Sequence, residues 1–453
     1  MQEKHSFTEG KILSPLIYFA LPVLLALFLQ AMYGAVDLWV VGKFAQAADI
    51  SGVSTGSQIM QTVTFVVVGL AMGVTIIVGQ RLGEQAPEEA GRAVGSGICL
   101  FAAVGVVMTL VMVLAAEPLA RLMRAPEAAF SQTVSYIRIC SAGSVFIVAY
   151  NVLGSIFRGM GDSRMPLITV AIACVLNILG DLLFVAVFHM GTAGAALATV
   201  IAQAVSVVIS AVIIRRRTLP FTFRREYLRF DWSIIRRIFF LGAPIALQDL
   251  LVSISFLVIL AIVNSLSLVA SAGVGVAEKL CGFIMLVPSA YMQSMSAFVA
   301  QNIGARRRDR AKKALLYGML SSLAVGLFMF WLAFFHGGAL AGIFVKAQDV
   351  HVIAAAADYL KAYAIDCLLT SFLFCFNGYF NGCGQTMFVM LQGIAGAFFV
   401  RIPVSYLMSR AAEVSLFHIG LATPASTLVQ IVLCAIYFAV TERRLAKRGP
   451  LEA

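Results

Sequence analysis

The chain has 453 residues, 61% of them hydrophobic and only 12% charged, with a mean hydropathy of +0.94. Soluble domains are about half apolar and about a quarter charged. No water-soluble shape has interior enough for this much apolar surface. A soluble enzyme, a disordered chain and a secreted disulfide scaffold are therefore excluded, and the net charge of +11 has to be read from where the charges fall.

Apolar stretches of about twenty residues or more recur from end to end, which is the helical signature in lipid. The strands of a transmembrane barrel would instead alternate polar and apolar over about ten residues. In chain order the predicted spans are 14–41, 50–79, 92–115, 131–157, 164–188, 191–214, 237–265, 271–301, 312–336, 352–380, 386–409 and 418–440. Each is long enough for about 30 Å of hydrocarbon at 1.5 Å per residue. The expected fold class is an all-α integral membrane protein with twelve transmembrane helices. Ahead of the first span the chain has no basic start, short apolar core and small-residue cleavage site in succession, so the first helix itself is expected to direct insertion. The eight cysteines lie in apolar stretches without CxxC spacing. They read as packing residues, with neither a zinc site nor a disulfide framework signalled.

Sorting the loops by side gives the orientation. One side carries Lys4, Lys11, Arg81, Arg92, Arg158, Arg164, eight Arg in the 215–237 loop, six basic residues in 306–313, and Arg443, Arg444, Lys447 and Arg448. That is 24 of the 33 basic residues, and the opposite loops hold Lys43, Arg121, Arg124, Lys346 and Arg410. Basic loops stay cytoplasmic, so both termini are expected in the cytoplasm, and the basic runs are topology signals in place of a nucleic-acid surface.

The chain repeats itself. Leu21-Pro22-Val23 returns as Ala243-Pro244-Ile245, Gly79-Gln80-Arg81-Leu82-Gly83 as Ala300-Gln301-Asn302-Ile303-Gly304, and Phe157-Arg158-Gly159-Met160-Gly161 as Phe380-Asn381-Gly382-Cys383-Gly384. Tyr136-Ile137-Arg138 likewise returns as Tyr359-Leu360-Lys361, all at offsets of 221 to 223. The reading is two six-helix bundles, 1–214 and 237–453, joined by an Arg-rich cytoplasmic linker at 215–236. Because six is even, the repeat is parallel, with its pseudo-two-fold axis along the membrane normal. Two such bundles around a central cleft that opens to one side at a time are the architecture of a secondary transporter.

The motifs now in hand resemble the multidrug and toxic compound extrusion (MATE) family. They are Asp37 in VDLWVVGKF, GQRLG at 79–83, FRGMGDSRMP at 157–166, VLNILGDLLF at 175–184, QNIGA at 301–305, FNGCGQT at 380–386 and VRIPVSYL at 400–407. They run in order through both halves. The resemblance implies export of small organic, often cationic compounds in exchange for Na⁺ or H⁺, with no further cofactor. It implies a multi-pass protein of the cytoplasmic (inner) membrane, and a monomer is expected.

Charged groups inside a bilayer cost roughly 2.5–3.5 kcal/mol each on insertion scales, so each asks for a reason. The acids read as lying inside the spans are Asp37, Asp181, Asp249, Glu278 and Asp366. Asp37, Asp181 and Thr199 fall about 6 to 12 Å from the outer ends of spans 1, 5 and 6, and Asn177 is one turn from Asp181 on the same face. These four make a layer of oxygen-bearing groups suited to a hard cation, here Na⁺ as the metal, or to a proton. Two carboxylates in one low-dielectric site cannot both stay ionised without a cation. The alternative is packing glue between Asp181 and Asn177. The resemblance implies a cation site in the N-terminal bundle built on this pattern.

At the repeat offset Asp37 faces Ile259, Asn177 faces Arg401 and Asp181 faces Ser405, so the C-terminal bundle lacks the layer. Asp249 and Asp366 fall near mid-bilayer. The resemblance implies a substrate or second ion site there, although Asp249 stands closer to Pro244 than the family's acid on that span. Internal salt bridges to Lys279 or Arg401 are the alternative. Pro22 is either a hinge for span 1 or a static kink. No HExxH and no P-loop is present, and the five His (5, 189, 336, 351, 418) stand apart, so a membrane enzyme and ATP-driven transport are not expected. A lipid-linked saccharide flippase of related architecture is the alternative function, and it would want a basic cleft, for which only Arg138, Lys279 and Arg401 are candidates.

Overall fold

The computed structural model describes residues 7–221, 223–345, 348–411 and 415–448; Lys4, His5 and Lys346 of the preceding section lie outside them. Twelve helical spans follow one another, and no strand occurs among the described residues. They are α1 (Leu13–Phe44), α2 (Ala47–Gly83), α3 (Pro87–Leu122), α4 (Glu127–Ala142 with Ser144–Met160), α5 (Arg164–Val187) and α6 (Gly191–Arg215). The second half gives α7 (Trp232–Asn264), α8 (Leu268–Gly304), α9 (Arg308–Gly342), α10 (Val350–Gly382), α11 (Thr386–Ser409) and α12 (Leu416–Lys447). Large apolar side chains such as Leu114, Phe399 and Leu268 stand 79% exposed or more on these helices. That is the surface of helices solvated by lipid, whose backbone groups are satisfied internally.

The repeated motifs are helix stops. Gly161 (φ +82°) and Gly384 (φ +78°) take the left-handed conformation one residue past α4 and close behind α10. Asp162 N then donates to Phe157 O at 3.0 Å and Gln385 N to Phe380 O at 2.8 Å. This pair of bonds closes the last turn in each half, and only glycine takes that backbone without strain. The ends of α2 and α8 close with the same bond, Ala86 N donating to Arg81 O at 3.0 Å and Arg307 N to Asn302 O at 2.8 Å, but there Gln85 (φ +57°) and Arg306 (φ +56°) take the left-handed position in place of glycine. Helix starts are capped in turn. Asp231 Oδ1 accepts from Ser233 N at 3.1 Å ahead of α7, and Ser267 Oγ accepts from Ala270 N at 3.1 Å ahead of α8.

The fourth span is not one straight helix. Its two segments meet at 56° around Gly143, where the Val200 side chain is packed against the glycine. Its counterpart α10 runs unbroken. The sequence showed one apolar run because the bend leaves composition unchanged.

The chain packs as two units. One is Tyr18–Ala246, and the other comprises the described residues up to Ile17 and those from Leu247 onward. The division thus falls within α1 and α7 instead of in the linker at 215–236. The reason is visible in the contacts of each helix start. Arg237 at the start of α7 donates to Gln80 Oε1 at 2.9 Å, and the Tyr227 backbone in the linker packs on Gly95 of α3. The segment before α1 is held within the other unit. Arg310 donates to the carbonyls of Phe7, Glu9, Gly10 and Lys11 at 2.6 to 2.9 Å. Asn302 Nδ2 adds a bond to Phe7 O at 3.1 Å, and the Phe7 ring lies 4.9 Å from that of Phe298. Pro22 and Pro244 stand within five residues of the two crossings, and both helices continue through them.

Candidate functional site

In the Tyr18–Ala246 unit the structure brings together all four residues of the predicted layer. Asp37 comes from α1, Asn177 and Asp181 from α5 and Thr199 from α6. Asn177 Nδ2 donates to Thr199 Oγ1 at 3.3 Å, and Thr199 Oγ1 points its hydroxyl at Asp37 Oδ2 at 3.4 Å and at Ala195 O at 3.1 Å. One hydroxyl carries one hydrogen, so it satisfies only one of these acceptors at a time. The carboxyls of Asp37 and Asp181 face each other, and Asn177 adjoins Asp37. Asp37, Asn177 and Asp181 are 4%, 1% and 0% exposed.

The hydrogen-bond accounting of this group is one-sided. Asp37 Oδ1, Asn177 Oδ1 and both Asp181 oxygens are buried without a donor. Buried carboxylates without a donor or counter-charge are strongly unfavourable. The group is balanced when a proton is shared between the carboxyls or a hard cation takes the free oxygens. Its donor set therefore fits Na⁺ or H⁺, and among the described residues no group of three or more His, Cys, Asp or Glu suits a softer metal.

Val185, Ala195 and Ala196 of the same helices are fully buried, in an apolar cluster that includes Tyr136 and Cys140. Tyr33 reaches Gln203 beside Asp37, and Tyr136 with Cys140 adjoins from α4. These neighbours have no sequence signal of their own, since buried Tyr and Cys are ordinary in apolar spans. Further along, Thr192 N and Oγ1 donate to Asp49 Oδ1 at 3.0 and 2.8 Å, which ties the start of α6 to the start of α2.

A π-helical turn, Leu182–Val187, begins directly after Asp181, and another, Ala395–Arg401, ends on Arg401. Such turns re-aim side chains within a helix and recur at functional sites. Hydropathy does not register them.

In the other unit Asp366 and Arg401 are 2% and 5% exposed. Arg401 Nη1 donates to Ser255 Oγ at 3.0 Å and the guanidinium lies 4.3 Å from the Phe256 ring centre. Asp366 lies beside Thr427 and near Arg401. The alternative of internal salt bridges does not hold: among the described residues no ion pair within 4.0 Å includes Asp249, Asp366, Lys279 or Arg401. The physical reason differs by residue. Lys279 is exposed and turned away from the interior, Asp249 is partly buried on α7, and Arg401 is engaged by Ser255 and Phe256. Arg138, the third base considered for a basic cleft, pairs with Glu117 at 2.8 Å with both side chains about half exposed.

Two features were passed over in the sequence. Asp358 also falls within the tenth span; it accepts from Phe417 N at 3.2 Å and Ser415 Oγ at 3.3 Å and so caps the start of α12. Gly52-Val53-Ser54-Thr55-Gly56 has the spacing of a nucleophile elbow, but it lies inside α2. Its glycines let Gln132 and Tyr136 of α4 approach the backbone, and the strand-to-helix turn that exposes a nucleophilic serine is missing.

Comparison with known proteins agrees with this architecture. The MatE family profile matches residues 22–183 and 244–407. The chain is 26% identical over 435 residues to a probable multidrug resistance protein, YpnP, of Bacillus subtilis, covering 96% of each chain. It is 23% identical over 416 residues to the multidrug export protein MepA of Staphylococcus saprophyticus, covering 90% of each. Among solved structures, the outward-facing conformation of a multidrug resistance MATE family transporter superposes with a TM-score of 0.91 at 19% identity, over 99% of both chains. Two profile matches at the offset of the internal repeat, each ending in the span that carries the polar residues above, establish that the chain belongs to the MATE family of multidrug efflux transporters.

Proposed function

We propose that this MATE transporter is a secondary active antiporter that exports small organic cations in exchange for Na⁺ or H⁺, with Asp37, Asn177, Asp181 and Thr199 as the coupling site. The observation that carries the reading is the set of four donor-free buried oxygens on two helices of one unit, with Thr199 of a third helix beside them. An arrangement this unfavourable when empty and ionised is one that an ion gradient can fill and empty. The acid at 249, which has no base within 4.0 Å among the described residues, favours a positively charged substrate, and the multidrug names of the relatives favour an organic one. The basic residues that a lipid-linked pyrophosphate would need are spent elsewhere, Arg138 on Glu117 and Arg401 on Ser255, so the flippase reading gains nothing.

The excess of Lys and Arg in alternate loops supports a cytoplasmic-membrane protein with both termini inside; the unit proposed is a monomer surrounded by lipid. The test is efflux of a fluorescent organic cation from proteoliposomes, driven in turn by a Na⁺ gradient and a pH gradient. One gradient is expected to accelerate efflux at least tenfold over leak. Efflux indifferent to both overturns the antiport reading.

A further inference from the structure

We propose that Arg401 is a tethered cation. In the C-terminal unit its guanidinium takes the position that an exchangeable ion takes in the N-terminal unit, and it thereby keeps Asp366 out of ion exchange. The inference rests on the coupling site proposed above and adds to it that the transporter is ion-coupled on one side only, by construction.

The two profile matches set the repeat at an offset of 222 at their starts and 224 at their ends. On that register Tyr33 corresponds to Ser255, Asp37 to Ile259, Asn177 to Arg401 and Asp181 to Ser405. Carried to the next span at 224, Thr199 corresponds to Thr423 and Gln203 to Thr427. The N-terminal group lies among α1, α5 and α6. The Arg401 guanidinium comes from α11, is held by Ser255 and Phe256 of α7, and lies near Asp366, which Thr427 of α12 adjoins. It therefore sits among α7, α10 and α11, the counterparts of α1, α4 and α5, with α12 reached through Thr427 on Asp366; α4 likewise adjoins the N-terminal group through Tyr136 and Cys140.

The charge balance of the two groups is opposite in kind. The N-terminal group has two carboxyls and no base, so it needs a proton or a cation from outside. Around Asp366 the titratable neighbours are Tyr359, Tyr363 and Cys367 on its own helix, Cys281 from α8 and Arg401 from α11, with Glu278 farther out beside Tyr359 and Cys281. Arg401 is the one base among these described residues, and it is 95% buried by its 5% exposure. A guanidinium is always charged and cannot leave. An arriving Na⁺ or proton meets a positive charge already in place, so Asp366 has no occasion to exchange one. Arg401 Nε and Asp366 Oδ1 both lack a partner, which is the state of a charge pair separated beyond direct contact and coupled through the low dielectric between them.

The test counts ions on the purified full-length protein in detergent. Radiolabelled Na⁺ is measured at saturation, and protons are measured by difference titration against the matching Asp→Asn variant. The native protein is expected to bind one equivalent that Asp37→Asn removes and Asp366→Asn leaves intact. Arg401→Gln is expected to bind two, the second lost when Asp366→Asn is added, and Arg401→Lys is expected to remain at one. An Arg401→Gln protein that is monodisperse and still binds one overturns the proposal, as does loss of the native equivalent in Asp366→Asn. If Arg401→Gln does not fold, the Asp366→Asn count decides. A native protein that binds neither ion overturns the coupling site instead, while the gain of one equivalent in Arg401→Gln still decides the tether.

Discussion

Thr199 of α6 and Asp37 of α1 are joined by a single hydroxyl hydrogen, at 3.4 Å, that Ala195 O also solicits at 3.1 Å. A charged Asp37 is the stronger acceptor and a neutral one the weaker, so the choice between the two acceptors is expected to follow the charge of the pair. In the coupling site proposed above, the buried acids would carry the exchange and the threonine would tune it.

Asp37→Asn and Asp181→Asn are each expected to reduce gradient-driven efflux to the leak rate, with the thermal midpoint in detergent unchanged or raised. Replacing a buried ionisable group by a neutral isostere is often neutral or stabilising, while the exchangeable site is lost. Thr199→Val removes one hydrogen bond of about 1 kcal/mol, so it is expected to weaken apparent ion affinity by about fivefold and to leave maximal efflux intact. Normal coupled efflux by both Asn variants would move the coupling site elsewhere, with Asp366 next to be tested.

These four residues were legible because polar oxygens in apolar spans have few reasons to exist, and helical spacing put Asn177 and Asp181 on one face. The twelve spans were legible for the same reason, since lipid demands long apolar runs. The repeat was visible as residue matches, yet its physical content, the paired helix stops at Gly161 and Gly384, needed the backbone. The break at Gly143 and the π turns beside Asp181 and Arg401 change geometry without changing composition. The alternative of salt bridges for Asp249 and Asp366 could not be decided from the sequence, because counting charges along a helix says nothing of which side chain reaches inward.

For topology, Arg121→Cys is expected to react with an impermeant maleimide added outside intact cells, and Arg229→Cys only after permeabilisation. Both positions are exposed, and six of the eight native cysteines are buried. The expectation follows from the loop charges. The opposite labelling pattern would invert the protein in the membrane.

Arg310→Ala is expected to release the segment ahead of α1. Four carbonyls, of Phe7, Glu9, Gly10 and Lys11, lose one shared donor group. Hydrogen bonds to a charged donor contribute about 1.5–3 kcal/mol when sheltered and less when exposed. A loss of about 1–3 kcal/mol in all is expected, read as a lower thermal midpoint and as faster proteolysis within residues 7–11. Unchanged proteolysis would mean that the Phe7 ring on Phe298 and the Asn302 bond hold the segment alone.

The last expectation concerns reciprocity between ion and substrate. When two ligands favour opposite conformations of one protein, each weakens the binding of the other by the same factor. Protonation or Na⁺ entry removes the repulsion between Asp37 and Asp181, so the helices bearing them, α1 and α5, are the elements whose arrangement depends on the ion. α1 also carries Pro22, whose missing backbone donor makes that point of the helix the easiest to bend. Raising Na⁺ or lowering pH is therefore expected to weaken binding of a fluorescent organic cation to the purified protein, by about fivefold to a hundredfold for a coupling of about 1–3 kcal/mol. The sign follows from antiport: the ion-loaded state is the one that releases substrate. Asp37→Asn fixes one carboxyl as neutral, so it is expected to retain binding and lose the ion dependence. Pro22→Ala restores the helical hydrogen bond, so it is expected to keep ion binding intact while shrinking the effect of the ion on substrate affinity. Fluorescence titrations of the three proteins across Na⁺ concentration and pH separate these outcomes. Substrate affinity that ignores both ions in the native protein would mark a facilitator, and an undiminished ion effect in Pro22→Ala would show that α1 transmits the charge state of Asp37 without bending at its proline.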